Sequence, residues 1–144
     1  MKKDAQSYHQ FCSTIPLVLC FLNFAAQLRT RRIMYNITFQ FEQPGLEPRT
    51  LNGVESGQSL LEVALKNEID LHHNCGGVCA CSTCHLYVQQ GEQHLEELSD
   101  KEEDFIDRAV NPRLNSRLGC QCLLQDGSGD IIVTLPDQTQ FLGE

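Results

Sequence analysis

The sequence predicts an α+β domain over residues 34–144, and three observations carry that reading. Residues 35–42 alternate as a strand does, with Ile37, Phe39 and Phe41 on one face. Residues 59–67 place Leu60, Leu61, Ala64 and Leu65 at helical spacing as core positions, with Asn67 as the terminator. Residues 118–124 and 130–135 read as a closing strand pair joined by Asp126-Gly127-Ser128-Gly129.

The remaining elements follow in order. Pro44-Gly45 turns the first strand towards a second over residues 49–54, which makes an opening hairpin. After the first helix comes a loop of small residues and cysteines, then a short strand over residues 85–88 that turns at Gln90-Gly91. Ser99-Asp100-Lys101-Glu102 has capping-box spacing and opens a second helix predicted to run to about Val110, where Asn111-Pro112 stops it. Asp100, Asp104 and Asp107 share one side of that helix with Glu103, while Phe105, Ile106 and Ala109 lie on the other and should face inwards.

The chemistry is concentrated in Cys75, Cys81, Cys84 and Cys120, spaced C-x5-C-x2-C-x35-C. Four thiolates meet the needs of a 2Fe-2S cluster, two for each iron. In the run from Cys75-Gly76-Gly77 to Cys84, small residues let backbone N–H groups approach the sulfurs, and glycine supplies positive φ. Three cysteines on one loop and another far downstream also follow the plant-type arrangement, although this loop is one residue longer.

Rival readings of the eight cysteines are weaker. A disulfide scaffold is disfavoured because Cys75, Cys79, Cys81 and Cys84 crowd into ten residues, where mutual bridges would be strained. Structural zinc has one C-x2-C half-site in Cys81 and Cys84 and lacks a second, since one residue separates Cys120 from Cys122. A zinc-stabilised interaction module therefore stays open as the alternative from a different class. A Rieske centre would need two histidines in C-x-H contexts, which are missing; His85 reads as a structural hydrogen-bonder.

Beyond cysteine spacing, four stretches match a known family: Cys75 to His85, Leu98 to Ala109, Ser116-Arg117-Leu118-Gly119-Cys120-Gln121, and Ile132-Val133-Thr134-Leu135-Pro136. Over roughly residues 34–137 the chain resembles the adrenodoxin-like and bacterial iron-sulfur-assembly branch of the 2Fe-2S ferredoxins. The resemblance implies a β-grasp fold, a mixed sheet grasping one main helix, with one 2Fe-2S cluster in the loop. It also implies Cys120 as the fourth ligand, leaving Cys122 a spare thiol and Cys79 a non-ligand. By the same analogy Cys75 and Cys81 would hold one iron, and Cys84 and Cys120 the other. A cysteine at position 79 resembles the assembly type more than the steroid-hydroxylase type and suggests an assembly-related thiol. Asp100, Asp104 and Asp107 align with the acidic positions such ferredoxins use to meet basic patches on partners.

The function implied is a one-electron carrier of low potential rather than an enzyme. It would take electrons from a flavin-containing, nicotinamide-dependent ferredoxin reductase and pass them to the iron-sulfur assembly machinery, or alternatively to a cytochrome P450 or other oxygenase. No nucleophile-base-orienter set, phosphate-binding glycine loop or nicotinamide or flavin motif is legible.

Net charge is -8 over the chain; residues 1–33 carry +4, so residues 34–144 carry -12. Such a surface repels nucleic acid and anionic membranes and favours basic protein partners, with a monomer expected. Residues 1–33 look foreign to this acidic domain. Their apolar run over residues 15–26 is too short to span a bilayer, but suits a signal-peptide core, and the following Arg29, Arg31 and Arg32 would suit an organelle presequence. The reading adopted is a disordered or non-native extension with the true start at Met34, because strand sequence begins at once with Tyr35-Asn36-Ile37-Thr38-Phe39. Free thiols around a cluster then place the protein in a reducing compartment, the bacterial cytoplasm, or the mitochondrial matrix of a eukaryotic source.

Overall fold

Period-two alternation puts Tyr35, Ile37 and Phe39 of β1 (Met34–Phe41) wholly inside the protein. The structure, a computed structural model, describes residues 34–141, and the expectation for residues 1–33 lies outside them. β1 is followed by β2 (Arg49–Glu55), α1 (Leu60–Lys66), β3 (His85–Gln90), α2 (Asp100–Ile106), β4 (Ser116–Leu118) and β5 (Gly129–Leu135). Single 3-10 turns occur at Glu92–His94 and Gln138–Phe141.

The five strands form one sheet in the order β2-β1-β5-β3-β4. β1 runs parallel to β5 and the other pairs are antiparallel, so the sheet is mixed. Parallel pairing of the first and last strands requires a long crossover. Here the crossover is the whole middle of the domain, including α1 and the cysteine loop. The core joins Ile37, Phe39, Ile131, Val133 and Leu86 of the sheet to Leu60, Val63 and Ala64 of α1. This is the β-grasp arrangement.

At the start of α1 the backbone N–H groups find acceptors, and two of these matter for the site. Ser59 and Glu62 form a complete capping box, with Glu62 N–H donating to Ser59 Oγ at 3.2 Å and Ser59 N–H to Glu62 Oε2 at 3.0 Å. The N–H groups of Leu60 and Leu61 donate to the carbonyls of Cys122 and Gly119, each at 3.0 Å. The helix start therefore clamps both sides of Cys120. Asn67 ends the helix as expected. Leu65, however, is exposed, and Val63 takes the core place expected of it.

Two other expectations are corrected. Residues 118–124 do not pair with β5 as a hairpin; only Ser116–Leu118 is strand, and it pairs with β3. Beyond it the chain turns, with Gln121 and Cys122 N–H both donating to the Leu118 carbonyl, and it makes single bridges from Leu123 to Ser59 and from Leu124 to Leu95. The apolar pattern there reflects burial against those neighbours, not a strand face. The second helix, α2, ends at Ile106 rather than near Val110, and Asp107 is its C-cap.

Candidate metal centre

Residues 72–84 form an irregular loop held at each end. Asn74 N–H donates to Thr83 Oγ1 at 2.9 Å, Gly76 N–H to the His73 carbonyl at 2.8 Å, and Gly119 N–H to the Cys84 carbonyl at 2.8 Å. Gly76, Gly77 and Cys79 all have positive φ, at 69°, 86° and 52°. Left-handed conformation at Gly76 and Gly77 is what curls the backbone so that its amides point into the loop. Gly77 also rests on α1, since a Cβ there would meet Leu61 Cδ2 at 3.4 Å and Cys120 Cβ at 3.8 Å.

The structure places Cys75 beside Cys81 and Cys84 beside Cys120, as two separate thiol pairs. The thiols are free, and a side-chain hydrogen bond joins Cys75 to Cys81 and another joins Cys84 to Cys120. Among the described residues no three His, Cys, Asp or Glu side chains converge on one point. Donors surround the pairs. Burial opposes ionisation of Cys75, yet bonds from Ala80 N–H, the Cys81 side chain, Gly77 N–H and Val78 N–H outweigh it and lower its pKa to about 7. Cys120 is drawn down to about 6, chiefly by its bond to Cys84, with Gln121 Nε2 at 3.5 Å and Cys79 N–H assisting against burial. Cys84 is pushed up by the same Cys120 bond and then by burial. The opposite directions of the two shifts come from one hydrogen bond shared by the pair. Thr83 Oγ1 lies 3.1 Å from Cys81 Sγ.

The other sulfurs and histidines have different surroundings. Cys79 and Cys122 are buried, and desolvation raises the pKa of each thiol. Cys79 contributes its backbone N–H to Cys120, while its own side chain lies near Lys101 and Glu102. His72 Nδ1 meets Gln138 Oε1 at 3.0 Å and His73 Nδ1 meets the Leu71 carbonyl at 2.9 Å. His85 is fully buried against Tyr87, edge to face, and bonds Ser116 Oγ at 2.8 Å through Nε2. Burial, with Arg113 nearby, depresses its pKa to about 4. His85 is thus the hydrogen-bonder its position suggested.

Residues 46–125 match the family of 2Fe-2S iron-sulfur cluster binding domains. The chain belongs to this family. The 2Fe-2S ferredoxin of Haemophilus influenzae is 46% identical over 81 residues, which cover 56% of this chain and 70% of that protein. That of Escherichia coli K12 is 40% identical over 84 residues, 58% of this chain and 74% of its own. Among solved structures, the ISC-like 2Fe-2S ferredoxin of Pseudomonas putida aligns with a TM-score of 0.64 at 38% identity, covering 72% of this chain and 93% of that one. A reduced cysteine-to-serine variant of putidaredoxin from Pseudomonas putida aligns at 0.62 and 29% identity, with 72% and 97% covered. As a 2Fe-2S ferredoxin the chain binds one 2Fe-2S cluster and carries electrons.

In this ferredoxin, the largest feature hidden from sequence reasoning is a buried ion pair behind the cysteines. Arg117 Nε donates to Glu102 Oε1 at 2.9 Å and Nη2 to Oε2 at 3.2 Å, while Leu118 N–H donates to Glu102 Oε1 at 2.8 Å. Arg117 Nη2 also reaches the Glu96 carbonyl at 2.7 Å. Glu102 therefore does not close a capping box: Ser99 Oγ accepts from Glu102 N–H at 3.2 Å, but the Glu102 carboxylate turns inwards. The network ties α2 to the strand that ends two residues before Cys120. Asp100, Asp104 and Asp107 remain on the exposed side of α2 with Glu103; Ile106 is buried, and Phe105 and Ala109 are half-buried.

Proposed function

We propose that Cys75, Cys81, Cys84 and Cys120 ligate the cluster, Cys75 and Cys81 on one iron and Cys84 and Cys120 on the other. The observation that supports this is the arrangement of the thiols as two pairs, one within the loop and one joining the loop to Cys120 after β4, which suits two metals better than one tetrahedral ion. When bound there, a 2Fe-2S cluster would supply one-electron redox chemistry. The N–H groups of Gly77, Val78, Ala80 and Cys79 and the Gln121 amide then oppose the added negative charge. Burial of Cys84 and Cys120 keeps water from their side of the site, while Cys75 and Cys81 are half-exposed, the side from which a partner would approach.

The donor would be a flavin ferredoxin reductase using a nicotinamide cofactor. Putidaredoxin supports this, because its covalent complex with putidaredoxin reductase aligns with this chain at 30% identity and a TM-score of 0.58. The acceptor would be the iron-sulfur assembly machinery, a reading supported by Cys79 and by the higher identity to the ISC-like ferredoxin than to putidaredoxin. Asp100, Asp104 and Asp107 of α2 would face these basic partners. Oxygenase donation is the outcome to expect if Cys79→Ala leaves cluster assembly in the host unimpaired. The ligand set is tested by serine substitution at Cys75, Cys79, Cys81, Cys84, Cys120 and Cys122 in turn. Substitution at Cys79 and Cys122 should leave the visible spectrum in place, and the other four should bleach or shift it. A normal spectrum in any of those four would remove that residue from the site.

A further inference from the structure

The acidic side of α2 continues into an apolar groove between this helix and the chain leading to β4. The groove has a volume of about 430 Å³ and is lined by Leu98, Ile106, Pro112 and Leu114, with Glu103 and Asp107 beside them. Leu114 is fully exposed and Leu98 is 45% exposed. Single exposed leucines need no explanation. Two at one groove, flanked by carboxylates, form a surface of a different kind.

We propose that this groove receives an apolar side chain of the electron-transfer partner, presented next to a lysine or arginine that meets Glu103 and Asp107. The inference rests on the electron-carrier reading, with α2 as the docking face, and adds to it an uncharged anchor. Charge complementarity points to such an occupant. The described domain is strongly acidic, and the cation among the groove residues, Arg113, is turned to other partners: it pairs with Glu42 at 2.8 Å and lies over the Tyr87 ring at 4.0 Å. Continuity points the same way, since Asp107 belongs both to the groove and to the row formed with Asp100 and Asp104. Long-range charge brings partners together quickly but holds them weakly in salt. A buried apolar side chain at the centre of a small interface supplies the part of affinity that salt does not screen. The groove lies close to the cysteines as well, because Ser82 Oγ donates to the Arg108 carbonyl at 3.4 Å, one residue beyond Asp107.

The test uses the cluster-loaded full chain and the flavin ferredoxin reductase of its source organism. KM for the ferredoxin and Kd by titration calorimetry are measured across a salt series. Leu114→Ser and Leu98→Ser are compared with Asp104→Asn/Asp107→Asn. Exposed leucines can be replaced without disturbing the fold, which an unchanged visible spectrum and apparent Tm would verify. Each leucine variant should raise KM and Kd by about tenfold, a hot-spot loss, with the salt slope of the parent retained. The aspartate pair should instead flatten the slope. If the leucine variants bind as the parent does while the aspartate pair flattens the slope, the anchor is overturned and the docking face stands. If the leucine variants weaken binding but the aspartate pair changes nothing, the basic partner is overturned. If neither set has an effect, both the groove and α2 are excluded from the interface.

Discussion

Replacing Glu102 by glutamine should be far more damaging than so small a change suggests. Its carboxylate is 1% exposed and accepts from Arg117 Nε, Arg117 Nη2 and Leu118 N–H, while the Arg117 side chain is 3% exposed. Glutamine keeps one acceptor oxygen but sets its amide NH2 against a guanidinium donor, leaving a buried charge without a counter-ion. Breaking one side of a buried pair costs about 3–5 kcal/mol. That is a large part of the roughly 5–15 kcal/mol that holds a domain of this size together. The apparent Tm should fall by about 10 °C or more. The assay is cluster bleaching during anaerobic heating at a fixed rate, because loss of the cofactor makes unfolding irreversible. The double variant Glu102→Met/Arg117→Met should be less harmful than the sum of its two single changes by about 2 kcal/mol or more, since it removes both charges together. It should not match the parent, because the Leu118 N–H and the Glu96 carbonyl are left without their partner. Additive single effects, or a Glu102→Gln variant that bleaches at the parent's temperature, would refute the account of this network.

Other expectations follow from the same geometry. Asp104→Asn with Asp107→Asn should slow reduction by a ferredoxin reductase and flatten its salt dependence with the visible spectrum unchanged, as stopped-flow reduction would show. Gly119→Ala should destabilise the cluster-loaded protein by about 1–3 kcal/mol, because its Cβ would meet Leu71 Cδ2 at 3.0 Å, the Cys84 carbonyl at 3.2 Å and Leu86 Cδ2 at 3.3 Å. Thermal bleaching would report it. Gln121→Leu removes a donor 3.5 Å from Cys120 Sγ and should lower the reduction potential by on the order of 20–50 mV, measured by redox titration. An unchanged or higher potential would mean that this amide does not act on the sulfur.

Comparison of Ser59 with Ser99 shows what sequence can and cannot reveal. Both serines precede a glutamate at capping-box spacing, and both caps bond the N–H three residues on. Glu62 is exposed and turns back to its own helix start; Glu102 is drawn inwards by Arg117, fifteen residues later. The local signal is the same, and a tertiary demand for a counter-ion decides between the outcomes. The cysteine loop was legible because its chemistry is local: spacing, glycines and small residues all lie within ten positions. Residues 118–124 misled because burial of Leu118, Cys122 and Leu124 at even positions imitates a strand, while the backbone there is bent to present Cys120 to the loop. The apolar groove beside α2 was not legible either, since Leu98 and Leu114 become neighbours only when α2 folds between them.

The central claim is that these cysteines hold a redox-active 2Fe-2S cluster, and it is tested most directly by the visible spectrum of anaerobically purified protein before and after dithionite, with iron, sulfide and zinc determined on the same sample. A brown protein with equal iron and sulfide that bleaches on reduction is the predicted result. A colourless protein containing zinc, still colourless after anaerobic reconstitution with iron and sulfide, would contradict it and favour an interaction module that moves no electrons.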